Sequence, residues 1–141
     1  MQYLDTSVVV ASLTNEVASG SVRAWLTAQS AGSVLISDWV VTEVSSALSM
    51  KIRTGALPIE RRSTKLAYFR QIVGESLTLL PVTPPHFHTA ALLADQHHLG
   101  LRAGDALHLA IASGVGARLC TLDRRLANAA TEIGASVLLL S

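Results

Sequence analysis

The stretch AGDALHLAIASGVGARLCTLD, residues 103–123, decides the fold class. Its first half, 103–113, has the length and apolar period of a helix. The apolar run 119–122 that follows is typical of a buried strand, and Asp123 comes directly after it. A helix followed by a continuously apolar strand indicates a parallel sheet covered by helices on both faces.

The same alternation extends along the rest of the chain. Short apolar runs predict four further strands, with segments of helical length and period between them. The predicted strands are 3–4, 34–36, 77–80, 119–122 and 137–140, and the predicted helices are 8–13, 22–31, 39–53, 59–73, 84–98, 103–113 and 126–133. We therefore expect an α/β fold, a three-layer sandwich with a central parallel sheet of about five strands. A length of 141 residues fits a single domain over residues 1–141.

The composition is apolar and weakly charged, with 50% hydrophobic and 15% charged residues and a net charge of +1. We expect some of this apolar surface to meet a partner. No uninterrupted apolar run reaches the roughly 18–20 residues of a membrane span, and the N-terminus lacks a basic leader. Cys120 is the only cysteine, so no internal disulfide forms and a cytoplasmic location is expected. So small a net charge does not indicate nucleic-acid binding, which must be argued from a site.

Four of the ten acidic residues lie where the pattern predicts apolar ones. Asp5 closes the first strand and Asp123 follows the fourth, so both belong at the carboxyl edge of the sheet, where open parallel sheets bind ligands. Glu43 falls on the helical stripe Val40–Glu43–Ala47, and Asp105 falls on the stripe Leu101–Asp105–Leu109–Ala112. This spacing of three and four places both acids on faces turned toward the core.

Carboxylates on buried faces need a positive partner, and the stripes around these four contain no Lys or Arg. Two such charges about 4 Å apart repel by roughly 4 kcal/mol at an effective dielectric near 20. A hard cation such as Mg²⁺ or Mn²⁺, which prefers oxygen ligands, removes the repulsion. The cluster therefore suits phosphodiester hydrolysis by metal-activated water. We expect the hydroxyls of Thr6, Ser7 and Thr121 to orient water or carboxylates around the metal.

These motifs resemble those of PIN-domain nucleases, and most closely the VapC-type toxins of bacterial toxin–antitoxin pairs. The resemblance covers the whole chain in order and length, and it rests on Asp5-Thr6-Ser7, Thr42-Glu43-Val44, Gly104-Asp105-Ala106-Leu107-His108-Leu109-Ala110 and Thr121-Leu122-Asp123. It implies a strand order of 3-2-1-4-5, with Asp5 and Asp123 on neighbouring strands. It also implies Mg²⁺-dependent endonucleolytic cleavage of RNA, a homodimer, and a small antitoxin whose C-terminal segment lies across the acidic pocket.

Each acid also has an ordinary structural explanation. Asp5 and Asp123 could be helix N-caps, Glu43 a satisfied core acid, and Asp105 a first-turn acid favoured by the helix dipole. Each explanation accounts for one residue, whereas a metal site accounts for all four together.

Other polar clusters carry weaker signals. His86-x-His88 and His97-His98 could suggest zinc, but an HxH pair on a helix points to different faces. His108, one turn beyond Asp105, favours a structural role over a catalytic one. Arg61-Arg62 is typical of a solvated face. For Arg124-Arg125, which follows an active-site acid, a solvated face and contact with RNA phosphates are both open.

Two other functions stay open at this point. One is a non-catalytic PIN-like binding or assembly module. The other is a phosphatase with Asp5 as nucleophile, which is disfavoured because Ser7 stands where a second aspartate is needed. For the partner interface, we expect the helices 39–52 and 59–73, the latter with Tyr68 and Phe69.

Overall fold

The computed structural model describes residues Met1–Ser141 and contains one five-stranded sheet. Every strand pair is parallel, and the order is β3-β2-β1-β4-β5. The predicted α/β fold class and the strand order 3-2-1-4-5 are therefore confirmed. The strands are Gln2–Leu4 (β1), Val34–Ser37 (β2), Thr78–Leu80 (β3), Arg118–Thr121 (β4) and Val137–Leu139 (β5).

Seven α-helices connect the strands, the number that the apolar periods predict, although the second ends at Thr27 and not at residue 31. They are Thr6–Leu13 (α1), Ser19–Thr27 (α2), Asp38–Arg53 (α3), Arg62–Glu75 (α4), Pro84–Asp95 (α5), Ala103–Gly114 (α6) and Arg124–Glu132 (α7). Two one-turn 3₁₀ helices, Ile59–Arg61 and His97–Leu99, precede α4 and follow α5.

The prediction of one helix over 84–98 is wrong at its C-terminal end. The α-helix stops at Asp95 because the backbone of Gln96, with φ −77° and ψ 76°, leaves the helical region. The 3₁₀ turn His97–Leu99 follows, and Gly100 ends it at a φ of +66°, a conformation that glycine adopts without steric cost.

Helices cover both faces of the sheet. Successive strand residues point to opposite sides, so each strand contributes to an apolar cluster on each face. Leu4, Ile36 and Cys120 belong to an apolar cluster with residues of α1 and α3. Their sequence neighbours Tyr3, Leu35 and Leu119 belong to a second cluster with residues of α6 and α7. The result is the expected three-layer sandwich, with β1 at the centre of the sheet.

Phe69 and Cys120 both lie in the core. Phe69 was expected at a partner interface but is only 4% exposed and packs in the core, whereas its neighbour Tyr68 is 52% exposed. Cys120 is fully buried, and burial raises the pKa of its thiol to about 12, so it is an inert core residue. No helix is both long and apolar enough to cross a membrane.

Candidate active site

All four acids lie around the carboxyl edge of the central strands. Asp5 follows β1 and Asp123 follows β4, and these strands pair through Leu4 and Cys120. Glu43 lies in the second turn of α3, on the flank of the buried stripe Val40–Val44–Leu48. Asp105 lies in the first turn of α6.

Asp5 is the most deeply buried of the four, with 4% exposure. Its carboxylate accepts hydrogen bonds from the Ser7 hydroxyl at 2.5 Å, the Thr121 hydroxyl at 2.5 Å and the Val8 amide at 3.3 Å. Burial raises the pKa of Asp5, and this outweighs the lowering by the charge of His108 and by the three hydrogen bonds. The ionised form of Asp5 is therefore costly in the metal-free protein.

Glu43 is held through one oxygen only. Its Oε1 accepts the Thr6 hydroxyl at 2.7 Å and lies 2.5 Å from Nε2 of His108, while Oε2 has no hydrogen bond in the protein. Burial alone would raise the pKa of Glu43, but the hydrogen bond and charge of His108 and the hydrogen bond of Thr6 together lower it. Glu43 is therefore ionised at neutral pH.

Asp105 and Asp123 each use one oxygen for a helix terminus. Oδ2 of Asp105 accepts the Arg102 amide at 3.3 Å, and Oδ1 of Asp123 accepts the Arg125 amide at 2.8 Å. The second oxygen of each makes no hydrogen bond. Burial raises the pKa of Asp105, and the charges of Asp123 and Glu43 raise it further against the Arg102 hydrogen bond and the charge of His108. These acids are therefore close enough to repel one another.

The structural explanations considered for single acids hold in part. Asp5 caps α1 and Asp123 caps α7, as their N-cap explanations require. Capping does not neutralise the charge, and no Lys or Arg forms an ion pair with any of the four acids. The edge therefore combines negative charge with unused carboxylate oxygens.

His108 was missed by the sequence analysis as a partner for this site. No Lys or Arg pairs with Glu43, in agreement with the sequence, but His108 reaches it from α6. The other ring nitrogen, Nδ1, lies 2.9 Å from the hydroxyl of Tyr3, which lies 2.8 Å from Oγ of Ser37. The available signal was a histidine on the buried face of an otherwise apolar helix.

Trp39 and Gly104 shape the space beside Glu43. A Cβ at position 104 would lie 3.1 Å from Oε2 of Glu43 and 3.5 Å from Nε1 of Trp39, so a side chain there would crowd Oε2 and narrow this space. Nε1 of Trp39 is buried and has no hydrogen-bond partner. An unsatisfied buried donor costs about 1–3 kcal/mol, which an acceptor atom of water or substrate would recover.

The donor set fits a hard divalent cation. No three His, Cys, Asp or Glu side chains are grouped tightly enough to hold one ion by themselves. Mg²⁺ does not need such a cage, because it usually keeps several waters and binds one or two carboxylates. Glu43, Asp105 and Asp123 each offer a free oxygen, and both ring nitrogens of the nearby His108 are already engaged.

The other histidines have separate roles. Nδ1 of His86 accepts the Thr83 amide at 3.0 Å at the start of α5. Nε2 of His98 lies 3.4 Å from Glu132 on the surface.

The fold and the edge together define a small three-layer α/β domain whose parallel sheet carries a cluster of carboxylates. The chain belongs to the PIN domain family, whose model matches residues 2–132. PIN domains are generally nucleases.

Solved structures show the same fold over nearly the whole chain. FitAcB from Neisseria gonorrhoeae is 22% identical, with a TM-score of 0.71 over 98% of this chain and 96% of that one. VapC20 of Mycobacterium tuberculosis, described as a sarcin–ricin loop cleaving toxin, is 16% identical, with a TM-score of 0.72 over 92% and 95%. VapBC2 from Rickettsia felis, bound to a fragment of its promoter DNA, is 15% identical, with a TM-score of 0.65 over 100% of both chains. No curated protein sequence matches the chain.

Proposed function

We propose that this chain is a Mg²⁺-dependent endoribonuclease, with Mn²⁺ as a substitute metal, and that it is the toxin of a toxin–antitoxin pair in the cytoplasm. The observation that carries the proposal is the position of Asp5, Glu43, Asp105 and Asp123 around one sheet edge without a Lys or Arg paired to any of them. Family membership supports it, because PIN domains are generally nucleases.

The proposed roles of these residues follow from their burial and from their free carboxylate oxygens. Three hydrogen bonds hold the buried Asp5, which we assign as the anchor of the site. Glu43, Asp105 and Asp123 each keep one carboxylate oxygen without a hydrogen bond and are assigned to the metal. A bound divalent ion would supply charge neutralisation at the phosphate and an activated water nucleophile. Arg124 and Arg125 are exposed directly after Asp123 and are available to phosphate oxygens of the RNA.

The proposal predicts the chemistry of the cleaved ends. Because water attacks phosphorus directly, the RNA 2′-hydroxyl is not the nucleophile, and cuts leave a 5′-phosphate and a 3′-hydroxyl. The test is cleavage of an end-labelled RNA in Mg²⁺, in Mn²⁺ and in excess EDTA, with the ends mapped by phosphatase and kinase sensitivity. Ends with 2′,3′-cyclic phosphate, or full activity in EDTA, would contradict the mechanism.

A protein partner is supported by the surface and by the relatives. Apolar side chains on α3 and α4, among them Met50 at 55% and Tyr68 at 52% exposure, remain open to a partner. The similar structures include a toxin–antitoxin complex from Klebsiella pneumoniae. We propose a homodimer that binds an antitoxin, and an Arg of the antitoxin is suited to the acidic edge because guanidinium pairs bidentately with carboxylates.

Growth provides the test of the toxin role. Expression of the chain alone is expected to arrest growth, and co-expression with the product of the adjacent reading frame is expected to restore it. Light scattering of the purified proteins should show a dimer alone and a larger complex with the partner. Normal growth on solo expression, together with a monomer in both preparations, would refute the toxin role and the assembly.

A further inference from the structure

A continuous hydrogen-bonded network joins Glu43 to the interior of the sheet. It runs from Ser37 at the end of β2 to Tyr3 in β1 at 2.8 Å, from Tyr3 to His108 in α6 at 2.9 Å, and from His108 to Glu43 in α3 at 2.5 Å. Ser37, Tyr3 and His108 are all at most 3% exposed. The network therefore links the two helical layers across the carboxyl edge of the sheet.

The hydrogen-bond donors of the network follow from the chemistry of its groups. An ionised Glu43 only accepts, so the Thr6 hydroxyl and Nε2 of His108 both donate to Oε1. Nε2 carries this proton in the neutral and in the charged ring. In the neutral ring Nδ1 is then an acceptor, so the Tyr3 hydroxyl donates to it and Ser37 donates to Tyr3.

We propose that His108, held by Tyr3, is a positioning residue that fixes Oε1 of Glu43 and keeps Oε2 as the free oxygen of the site. This inference rests on the proposed metal-dependent nuclease function. It assigns roles to two residues outside the four acids, and neither residue contacts RNA in this scheme.

Hydrogen bonds to neighbouring residues are needed to hold the Glu43 side chain in one orientation. A glutamate side chain has three rotatable bonds, and ordering a long flexible side chain carries a large entropic cost. Two donors on one oxygen, from helices in different layers, select a single orientation. The gap at Gly104 then leaves Oε2 accessible, because a Cβ there would lie only 3.1 Å from it.

Tyr3→Phe is the mildest test, because it removes one hydroxyl and retains the packing. We expect the Mn²⁺ dissociation constant, measured by titration calorimetry, to increase about 10-fold, since partners of metal-binding groups typically contribute about 10–100-fold to affinity or activity. His108→Leu removes the donor to Glu43 and should weaken Mn²⁺ binding by more than Tyr3→Phe. His108→Gln returns an N–H donor near the position of Nε2 and should recover part of the loss.

Cys120→Ala is the matched control, because Cys120 is equally buried in the neighbouring strand β4 and its thiol makes no hydrogen bond with this network. It should lower the melting temperature without changing Mn²⁺ affinity. In the metal-free protein, ¹⁵N spectra of the His108 ring should show a protonated Nε2 in wild type and altered Nδ1 shifts in Tyr3→Phe.

Two outcomes separate this inference from the proposed function. Equal Mn²⁺ affinities for wild type, Tyr3→Phe and His108→Leu, with RNA cleavage by wild type intact, would overturn the positioning role and leave the nuclease proposal standing. Absence of both Mn²⁺ binding and RNA cleavage in wild type would overturn both.

Discussion

Replacement of Asp5 by Asn is expected to lower the rate of RNA cleavage about 1000-fold while the chain keeps its fold. This factor corresponds to about 4 kcal/mol of transition-state stabilisation, within the several kcal/mol that a metal and its carboxylates supply. The amide of Asn retains an oxygen that can cap α1 as Asp5 does through the Val8 amide. The variant therefore separates the two roles of Asp5, because a residue that is only a cap would lose little activity.

The measurement is the single-turnover cleavage rate at saturating protein, with circular dichroism to check the fold. Asp95→Asn is the control, since Asp95 is an exposed acid at the end of α5, outside the carboxyl edge of the sheet. It should cleave RNA at the wild-type rate. Cleavage by Asp5→Asn within a few-fold of wild type would refute the four-carboxylate site.

The fold could be predicted because every strand is short, apolar and separated from the next by a helical period. Even the peripheral strands Thr78–Leu80 and Val137–Leu139 were recognisable in this way. The strand order came from a family resemblance, because periodicity does not determine which strands are neighbours. The end of α5 was misjudged because no glycine or proline marks a stop before Gly100, whereas the backbone of Gln96 already leaves the helical region.

The candidate site was visible in the sequence only where an acid interrupted an apolar pattern. Asp5 and Asp105 interrupt such patterns, and the structure brings Asp105 close enough to Asp123 and Glu43 for their charges to raise its pKa. The partners of Glu43 were not visible, because His108 lies 65 positions away along the chain and Tyr3 lies 105 positions from His108. Helical spacing describes neighbours three and four positions apart, so contacts between layers require the folded structure.

Two of the four acids at this edge, Asp5 and Asp123, are also the N-caps of helices. Helices α1 and α7 begin directly after β1 and β4, so their first residues are the ones that the sheet brings together. A carboxylate that caps such a helix is fixed in place by backbone amides, as Asp123 is by Arg125 and Leu126. In the proposed site, the cap therefore holds one oxygen of Asp123 and leaves the other free for a metal ion.

The metal-free protein is expected to lose stability through Asp5 and Asp105 as the pH rises above the ordinary aspartate pKa of 3.8. Asp5 and Asp105 have raised pKa values in the folded chain, so their ionisation above the ordinary aspartate value of 3.8 favours unfolding. Glu43 acts in the opposite sense. Its lowered pKa contributes stability above the ordinary value of 4.5, and that stability is lost as the pH falls through the lowered pKa. The melting temperature without metal should therefore be highest under mildly acidic conditions.

Mn²⁺ should reverse the loss at neutral pH. A ligand at 100 times its dissociation constant stabilises a protein by about 2.7 kcal/mol, which raises the melting temperature of a domain of this size by roughly 10 °C. The increase should be smaller at pH 5, because protons compete with the metal for the carboxylates. Scanning calorimetry of wild type and Asp5→Asn, with EDTA or Mn²⁺ at pH 5 and 7.5, measures both effects.

Asp5→Asn should be at least as stable as wild type in EDTA at pH 7.5 and should gain little from Mn²⁺, because it lacks the charge that the metal neutralises. A wild-type melting temperature that Mn²⁺ leaves unchanged at pH 7.5 would show that this carboxylate cluster does not bind a metal ion.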